Sequence, residues 1–340
     1  MKSLPYYHPV TIGNVSLPGN LFLAPVAGYS DRAFRSICYE NGCCFAYTEM
    51  VSAEAIVRKN EKTELLVHRA SKELQYAVQI FGSEPETMAK AAAIIAKKAQ
   101  PEVIDINCGC PVPKIIKTGA GSALTRNPKQ LGLIVKAVKA TLDEFSKKHE
   151  INPIPLTVKI RSGWDEHSLS WKEAAMTALE NGVSAITLHP RTRAQGYEGK
   201  ANWQILTQLV QLIDKQIPVF GSGDVFTPQD AKNMLEQTNC DAIMLARGTM
   251  GNPFLFKQTR DYLTTGTYSK TAPSEYIKTG LKELAFLIDD KGEKIACCEM
   301  RKRFCAYTKG MPGGAELRKS IVLCTTFDSY LKLFASHIEY

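Results

Sequence analysis

Val103-Ile104-Asp105-Ile106-Asn107-Cys108-Gly109-Cys110-Pro111 is a short apolar run that ends abruptly in an amide, a glycine and a thiol locked in place by proline. Pro111 fixes its own φ and biases Cys110 toward extended backbone. A thiol held rigidly at the end of a buried strand is placed to act on something. The rest of the chain has to say on what.

Similar apolar runs recur on both sides of this one. They are Leu21-Phe22-Leu23, Phe45-Ala46-Tyr47, Tyr76-Ala77-Val78, Leu156-Thr157-Val158, Ala185-Ile186-Thr187-Leu188, Val219-Phe220 and Ala242-Ile243-Met244-Leu245. Near-continuous apolar runs suit parallel strands covered on both faces. Helix starts lie between them. Ser83-Glu84-Pro85-Glu86 and Ser170-Trp171-Lys172-Glu173 read as capping boxes, the first ahead of an alanine-rich helix ending near Lys98. Asn127-Pro128 and Thr227-Pro228 each offer an N-cap followed by proline. Gly42 and Gly182 stand where helices should end.

About eight strand–helix units in roughly 250 residues is the count of a (β/α)8 TIM barrel. An open doubly wound sheet is the runner-up, but no Gly-x-Gly-x-x-Gly follows the first strand. Past about Phe256 the alternation stops, and residues 275–289, 295–309 and 315–333 read as helices. The expected architecture is therefore α/β, with a catalytic barrel over residues 1–255 and a smaller all-helical domain over 256–340.

Composition narrows the classes. The chain has 340 residues, 44% hydrophobic and 22% charged, and no apolar stretch long enough for a membrane span. Its N-terminus lacks a secretory pattern. Adjacent pairs among the ten cysteines, Cys43-Cys44 and Cys297-Cys298, argue for reduced thiols in a cytoplasmic protein. Cys108 and Cys110 have no second Cys or His pair at zinc-site spacing, so no metal is expected. The net charge is +8, and residues 301–320 carry six basic side chains against one acid, which suits a polyanionic partner.

The strand ends carry the chemistry. In order they finish in Pro25-Val26-Ala27-Gly28, Glu49, Gln79, Asn107 with Cys110, Lys159 with Arg161, His189 with Arg191, Gly221-Ser222-Gly223-Asp224, and Ala246-Arg247-Gly248. In a barrel these converge on the C-terminal face, where such folds do chemistry. The last two groups follow strands seven and eight, where barrels commonly bind phosphate through backbone amides. Lys159, inward on an alternating strand, calls for an anion.

Together these residues resemble the tRNA-dihydrouridine synthases, which are flavin-dependent oxidoreductases. The resemblance runs through Leu23-Ala24-Pro25-Val26-Ala27-Gly28-Tyr29-Ser30-Asp31, Thr48-Glu49-Met50, Gln79-Ile80-Phe81-Gly82 and the Asn107–Pro111 segment. It continues in Val158-Lys159-Ile160-Arg161, His189-Pro190-Arg191-Thr192-Arg193, Gly223-Asp224, Arg247-Gly248 and Gly310-Met311-Pro312-Gly313-Gly314-Ala315-Glu316-Leu317-Arg318. The Asn-Cys-Gly-Cys-Pro and Glu-Leu-Arg segments look most like the bacterial B-type branch.

The resemblance implies reduction of a uracil C5–C6 bond in tRNA, with FMN as carrier and NADPH or NADH as electron source. It implies that the Pro25, Val26 and Ala27 backbones pack along the flavin, that Gln79 bonds its polar edge and that Lys159 faces its N1 side. His189, the Ser222, Gly223 and Asp224 backbones, and Ala246 with Arg247 are implied to hold the phosphate region, and Asn107 to contact flavin or uracil. Cys110 takes the role of general acid, which requires a neutral thiol. Lys114, Arg126 and Arg191 at the rim, with Arg301, Lys302, Arg303 and Arg318 in the helical domain, are the implied tRNA contacts, and a monomer suffices. Two positions depart from the pattern: Cys108, a second thiol expected to react alongside Cys110, and Ala246, where relatives often carry glycine. The competing expectations are an FMN barrel reducing a small enone or pyrimidine, and a tRNA-binding protein without catalysis.

Overall fold

The computed structural model describes residues 6–70 and 72–338; Met1–Pro5, part of the segment that lacks a secretory pattern, lie outside the described residues. Eight parallel strands close on themselves: β1 (Leu21–Leu23), β2 (Phe45–Tyr47), β3 (Tyr76–Phe81), β4 (Val103–Cys108), β5 (Leu156–Gly163), β6 (Ala185–Thr192), β7 (Val219–Ser222) and β8 (Ala242–Leu245). Met244 pairs with Phe22 and Ala46 with Tyr76, so no barrel edge is left open between β8, β1, β2 and β3. This is the expected TIM barrel. A short strand, Val51–Ser52, adds parallel pairing beside β3.

Strand alternation divides the side chains into two sets. Leu21, Leu23, Ile104, Ile106, Val158, Ile160, Ile186 and Leu188 join the core between barrel and helices. Phe22, Phe45, Tyr47, Val103, Phe220 and Met244 point inward. Phe22 meets Phe45 and Phe220 edge-on, with ring centroids 5.8 and 5.1 Å apart, making an aromatic floor. An antiparallel hairpin, Val10–Ile12 with Val15–Leu17, contributes apolar side chains to the same cluster. Its alternating Val-Thr-Ile and Val-Ser-Leu pattern was a readable signal that the strand count above omits.

The principal helices are α1 (Arg32–Glu40), α2 (Ala53–Val57), α3 (Pro85–Lys98), α4 (Pro128–Lys148), α5 (Trp171–Glu180), α6 (Trp203–Ile213), α7 (Pro228–Thr238) and α8 (Leu255–Thr265) around the barrel. Beyond them lie α9 (Pro273–Lys291), α10 (Glu293–Tyr307), α11 (Gly314–Ile321) and α12 (Phe327–Ile338). Asn127 caps α4, and Thr227 with Asp230 forms a capping box on α7. Two expected caps differ. Pro85 occupies the first helical position, which makes Glu84 the N-cap instead of Ser83, with no side-chain bond. Ser170 is an N-cap, but its φ of −125° and ψ of 14° lie outside the extended region, and its hydroxyl makes no cap bond.

The helix expected over residues 315–333 is broken into α11 and α12. Arg301 captures the Cys324 carbonyl at 3.1 Å, and the Ser329 hydroxyl accepts the Thr325 and Thr326 amides at 3.2 Å. These local bonds compete with the helical ladder. Leu255, Phe256 and Leu263 of α8 pack in the barrel core, whereas Ile277, Leu284, Met300, Phe304, Tyr330 and Phe334 form a separate helical core.

Candidate functional site

The alternation that buries Phe22 and Phe45 at the floor also sets the inner face above them. On β4 and β5, Asp105 pairs in register with Thr157 and Asn107 with Lys159; on β5 and β6, Arg161 pairs with His189. Gln79 follows Ala77 inward on β3. The inner face thus changes from apolar at the bottom to charged at the top, and Gln79, Asn107, Lys159, Arg161 and His189 line one cavity with Pro25, Val26, Ala27, Cys110, Ser222, Gly223, Asp224, Ala246 and Arg247, while Asp105 and Thr157 lie buried beneath it.

A directed hydrogen-bond chain fixes the amides. Thr157 donates to Asp105 at 2.6 Å, and Gln79 Nε2 donates to the other Asp105 oxygen at 2.6 Å. Gln79 Oε1 must then accept, and it does so from Asn107 Nδ2 at 2.8 Å. Asn107 Oδ1 is left to accept the amides of Gly109 at 3.2 Å and Cys110 at 2.9 Å. Burial pushes the Asp105 carboxyl up to about 6, so it is predominantly ionised at neutral pH and holds this polarity.

Cys110 stands half-buried at the cavity wall, and burial raises its thiol above the ordinary cysteine value. The Ser122 amide donates to the Cys110 carbonyl at 3.0 Å. Gly121 (φ +62°) makes this approach possible, since a Cβ there would lie 2.7 Å from that carbonyl oxygen. Cys108 does not share the cavity. Strand alternation turns it outward into the apolar core, where it is fully buried beside the Ile106 carbonyl. The expectation that both thiols react is corrected accordingly.

The far wall is cationic. Lys159 lines the cavity with no carboxylate in ion-pair range among the described residues; burial and then Arg161 bring it down to about 8. Burial holds His189 well below the usual histidine value, with neighbouring cations adding to the effect. Its Nε2 faces Arg191 at 3.2 Å; the guanidinium only donates, which leaves the imidazole proton on Nδ1. Despite burial, the Ala201 amide and Arg191 hold Asp224 low, and Asp224 bridges Arg191 at 2.8 Å and Arg247 at 3.1 Å. Gly223 has φ +116°, and a Cβ there would lie 2.9 Å from the His189 ring. Ser222 donates to the Met244 carbonyl at 3.1 Å, and the Val26 amide is taken by Ser30 at 2.9 Å.

Two expected tRNA contacts are overturned by burial. Arg191 is on the inward parity of β6 with His189, essentially inaccessible and committed to Asp224. Arg303 is fully buried between Asp31, 2.6 Å away, and Glu283. Lys114, Arg126 and Lys302 are exposed, and Lys302 reaches the Gly28 carbonyl at 2.6 Å. Arg301 and Arg318 are half-buried, donating to the Cys324 and Thr308 carbonyls. Tyr197 was not among the expected residues. It stands exposed in a glycine-flanked loop with Arg247 4.6 Å from its ring centroid, and only its place in the folded mouth marks it out.

Comparison with known proteins gives this geometry a lineage. The dihydrouridine synthase (Dus) family profile matches residues 22–338. The chain belongs to the dihydrouridine synthase family. A probable tRNA-dihydrouridine synthase of Treponema pallidum is 51% identical over 332 residues, covering 97% of this chain and 96% of that relative. The tRNA-dihydrouridine synthase B of Pseudomonas aeruginosa is 35% identical over 311 residues, covering 91% of this chain and 90% of that relative. Among solved structures, a DHODH from Eimeria tenella in complex with ferulenol superposes with TM-score 0.56 at 14% identity, covering 77% of this chain and 84% of that one. Histamine dehydrogenase from Rhizobium sp. 4-9 gives TM-score 0.54 at 14% identity, covering 83% of this chain and 51% of that one. These two share the barrel fold. Within the synthase family, the cavity built by Asn107, Cys110, Lys159 and His189 is this member's candidate active site.

Proposed function

We propose that this family member is a tRNA-dihydrouridine synthase that reduces the C5–C6 bond of uridine with FMN as carrier and NADPH or NADH as reductant. The observation that carries the reading is the pairing, across one cavity, of a thiol positioned by Asn107 with a half-buried lysine that has no carboxylate in ion-pair range among the described residues.

The residues fit a flavin. Lys159 would offer its half-buried ammonium to one edge of the ring, and giving a partly desolvated charge an anionic neighbour is favourable. The backbones of Pro25, Val26 and Ala27 would offer a wall for the isoalloxazine, and Gln79, which keeps one N–H and one lone pair beyond its bonds to Asp105 and Asn107, would meet its polar edge. Ser222, Gly223, Ala246 and Arg247, with neutral His189, surround the phosphate position, where glycine permits close backbone approach. FMN, when bound and reduced, supplies the hydride that uracil C6 receives.

The remaining work belongs to the chain. Cys110 donates its thiol proton to C5 as negative charge develops there, so its raised pKa serves a general acid and not a nucleophile. Asn107 holds the Cys110 amide and with it the direction of the thiol. A uridine inside folded tRNA must leave its stack to reach this depth. The helical unit that begins at α9, after α8 has packed on the barrel core instead of leaving it at residue 256, orients the tRNA with Arg301, Lys302 and Arg318, and Lys114 and Arg126 contact it at the rim. Ten free cysteines suit a reducing, cytoplasmic setting.

The test is the dihydrouridine content, by nucleoside mass spectrometry, of unmodified tRNA incubated with protein, FMN and NADPH. A rise that Cys110→Ala abolishes is the expected result. Flavin-loaded protein that yields no dihydrouridine but reduces enones or free pyrimidines would overturn the reading.

A further inference from the structure

β5 ends in a bulge: its register with β6 shifts between Arg161 and Gly163. The chain turns out of the sheet there and returns through a bridge from Gly163 to Leu169. At the turn stands Trp164. Its ring carries two guanidinium groups, Arg126 at 4.6 Å and Arg193 at 4.8 Å from the centroid.

Neither arginine has a carboxylate in ion-pair range among the described residues. The nearby acids are engaged elsewhere: Asp165 accepts the His167 amide at 3.0 Å, and Glu166 faces the His167 ring at 3.3 Å. Two cations gathered on one indole without a counter-anion repel each other, and an anion arriving from outside relieves that repulsion. A guanidinium stacked on a ring keeps its in-plane N–H edge free, the edge that forks onto phosphate oxygens.

The cluster is tied to the reacting centre on both sides. Arg126 closes the short helix Ser122–Arg126, whose first amide donates to the Cys110 carbonyl at 3.0 Å. The Arg193 amide donates to Gly163 and the Ala194 amide to the Trp164 carbonyl, both at 2.8 Å. Arg161 joins the same walls by donating to Gly109 at 2.8 Å and to Thr192 and Gly196 at 2.9 Å. An anion held on the arginines is therefore in fixed relation to the thiol.

We propose that Trp164 with Arg126 and Arg193 is an RNA-backbone clamp at the C-terminal end of β5, beside the cavity walls, gripping the phosphates next to the extruded uridine. This rests on the tRNA reading above. Trp164 and Arg193 become binding residues, and Arg126 gains a mechanism: the indole fixes the direction of both guanidiniums.

The experiment is tRNA binding to the FMN-loaded protein by filter retention across a range of salt concentrations. Arg126→Gln and Arg193→Gln are each expected to weaken binding about tenfold and to reduce the slope of log affinity against log salt by about 1. Trp164→Leu should do the same, and Trp164→Phe should recover most of the loss. Flavin content serves as the folding check, and if Trp164→Leu misfolds, the two arginine variants decide. Arginine variants that keep wild-type affinity and slope would overturn the clamp and make the stack a structural brace. Wild-type protein that binds no tRNA at low salt would instead overturn the tRNA reading itself, and tRNA binding without salt dependence would overturn the clamp.

Discussion

The side-chain oxygen of Asn107 accepts the backbone amide of Cys110 at 2.9 Å, and the orientation of that oxygen is inherited from Asp105 through Gln79. The Gly109–Cys110 turn is thus aimed by a carboxylate deep in the barrel. Asn107→Leu removes the acceptor and frees the loop. Because small misplacements of reacting groups are costly, turnover should fall by about 10²-fold while tRNA affinity is largely kept. Asn107→Asp, which retains the acceptor, should recover part of the rate. Steady-state kcat and KM for tRNA check this; a proportionate loss of affinity would mean that Asn107 acts on binding.

Lys159 leads to a prediction with opposite signs for stability and function. Its ammonium is brought down from 10.5 to about 8, chiefly by burial. Between those values the unfolded chain binds more protons than the folded one, so this group makes flavin-free protein more stable as pH rises from 8 to 10.5. Below that window the buried charge is a cost. Lys159→Met should therefore stabilise the flavin-free protein at pH 7 by on the order of 2 kcal/mol in urea unfolding. The same variant should purify with less flavin. Flavin content equal to wild type would remove Lys159 from the cofactor site.

The two thiols of the central motif should behave differently. Peptide mapping after alkylation of native protein should find Cys108 unmodified and Cys110 modified slowly near neutral pH, faster as the pH exceeds 9. Turnover should fall over the same alkaline range, because the acid form is the one that donates. Equal labelling of both cysteines would contradict the burial of Cys108.

The alternation carried that distinction, against the expectation that both thiols react. Cys108 is an even step from Ile104 and Ile106, so alternation alone assigns it to the outer core, as it assigns Arg191 to the inner face beside His189. The strand ends were readable for the same reason: each apolar run stops at a polar group, and a closed parallel barrel gathers such stops on one rim. The fate of Arg303 was not readable. It sits in a basic stretch that looks solvated, and its partner Asp31 is 272 residues away. The break between α11 and α12 was half readable: Thr326 takes the Ser329 amide at 3.2 Å, a helix-start signal in the sequence that the expectation passed over, whereas the bond that helps end α11 comes from Arg301 on another helix.

Arg303 carries the last prediction. Its guanidinium joins Asp31, at the end of the loop that lines the cavity, to Glu283 in the helical core, with Tyr307 also donating to Glu283 at 2.6 Å. Lys291 at 3.1 Å is the other cation on Asp31. Arg303→Met leaves Glu283 without a cation, held by the Tyr307 hydroxyl alone, and Asp31 with Lys291 alone, and breaking a buried pair in this way costs about 3–5 kcal/mol. Pairing with Arg303 outweighs burial to hold Asp31 below 3.8; its stabilising contribution is present above that value and lost as pH falls through the lowered one. The variant should therefore lose stability at pH 7 and show less of the wild type's further decline toward acid. Adding Glu283→Met should return part of the loss, because it removes the stranded charge. Since Lys302 and Arg303 hold both ends of the Gly28–Asp31 turn, flavin affinity should fall as well, measured by titrating flavin-free variant with FMN. A variant as stable as wild type, with unchanged flavin affinity, would mean that the helical domain holds its place without this triad.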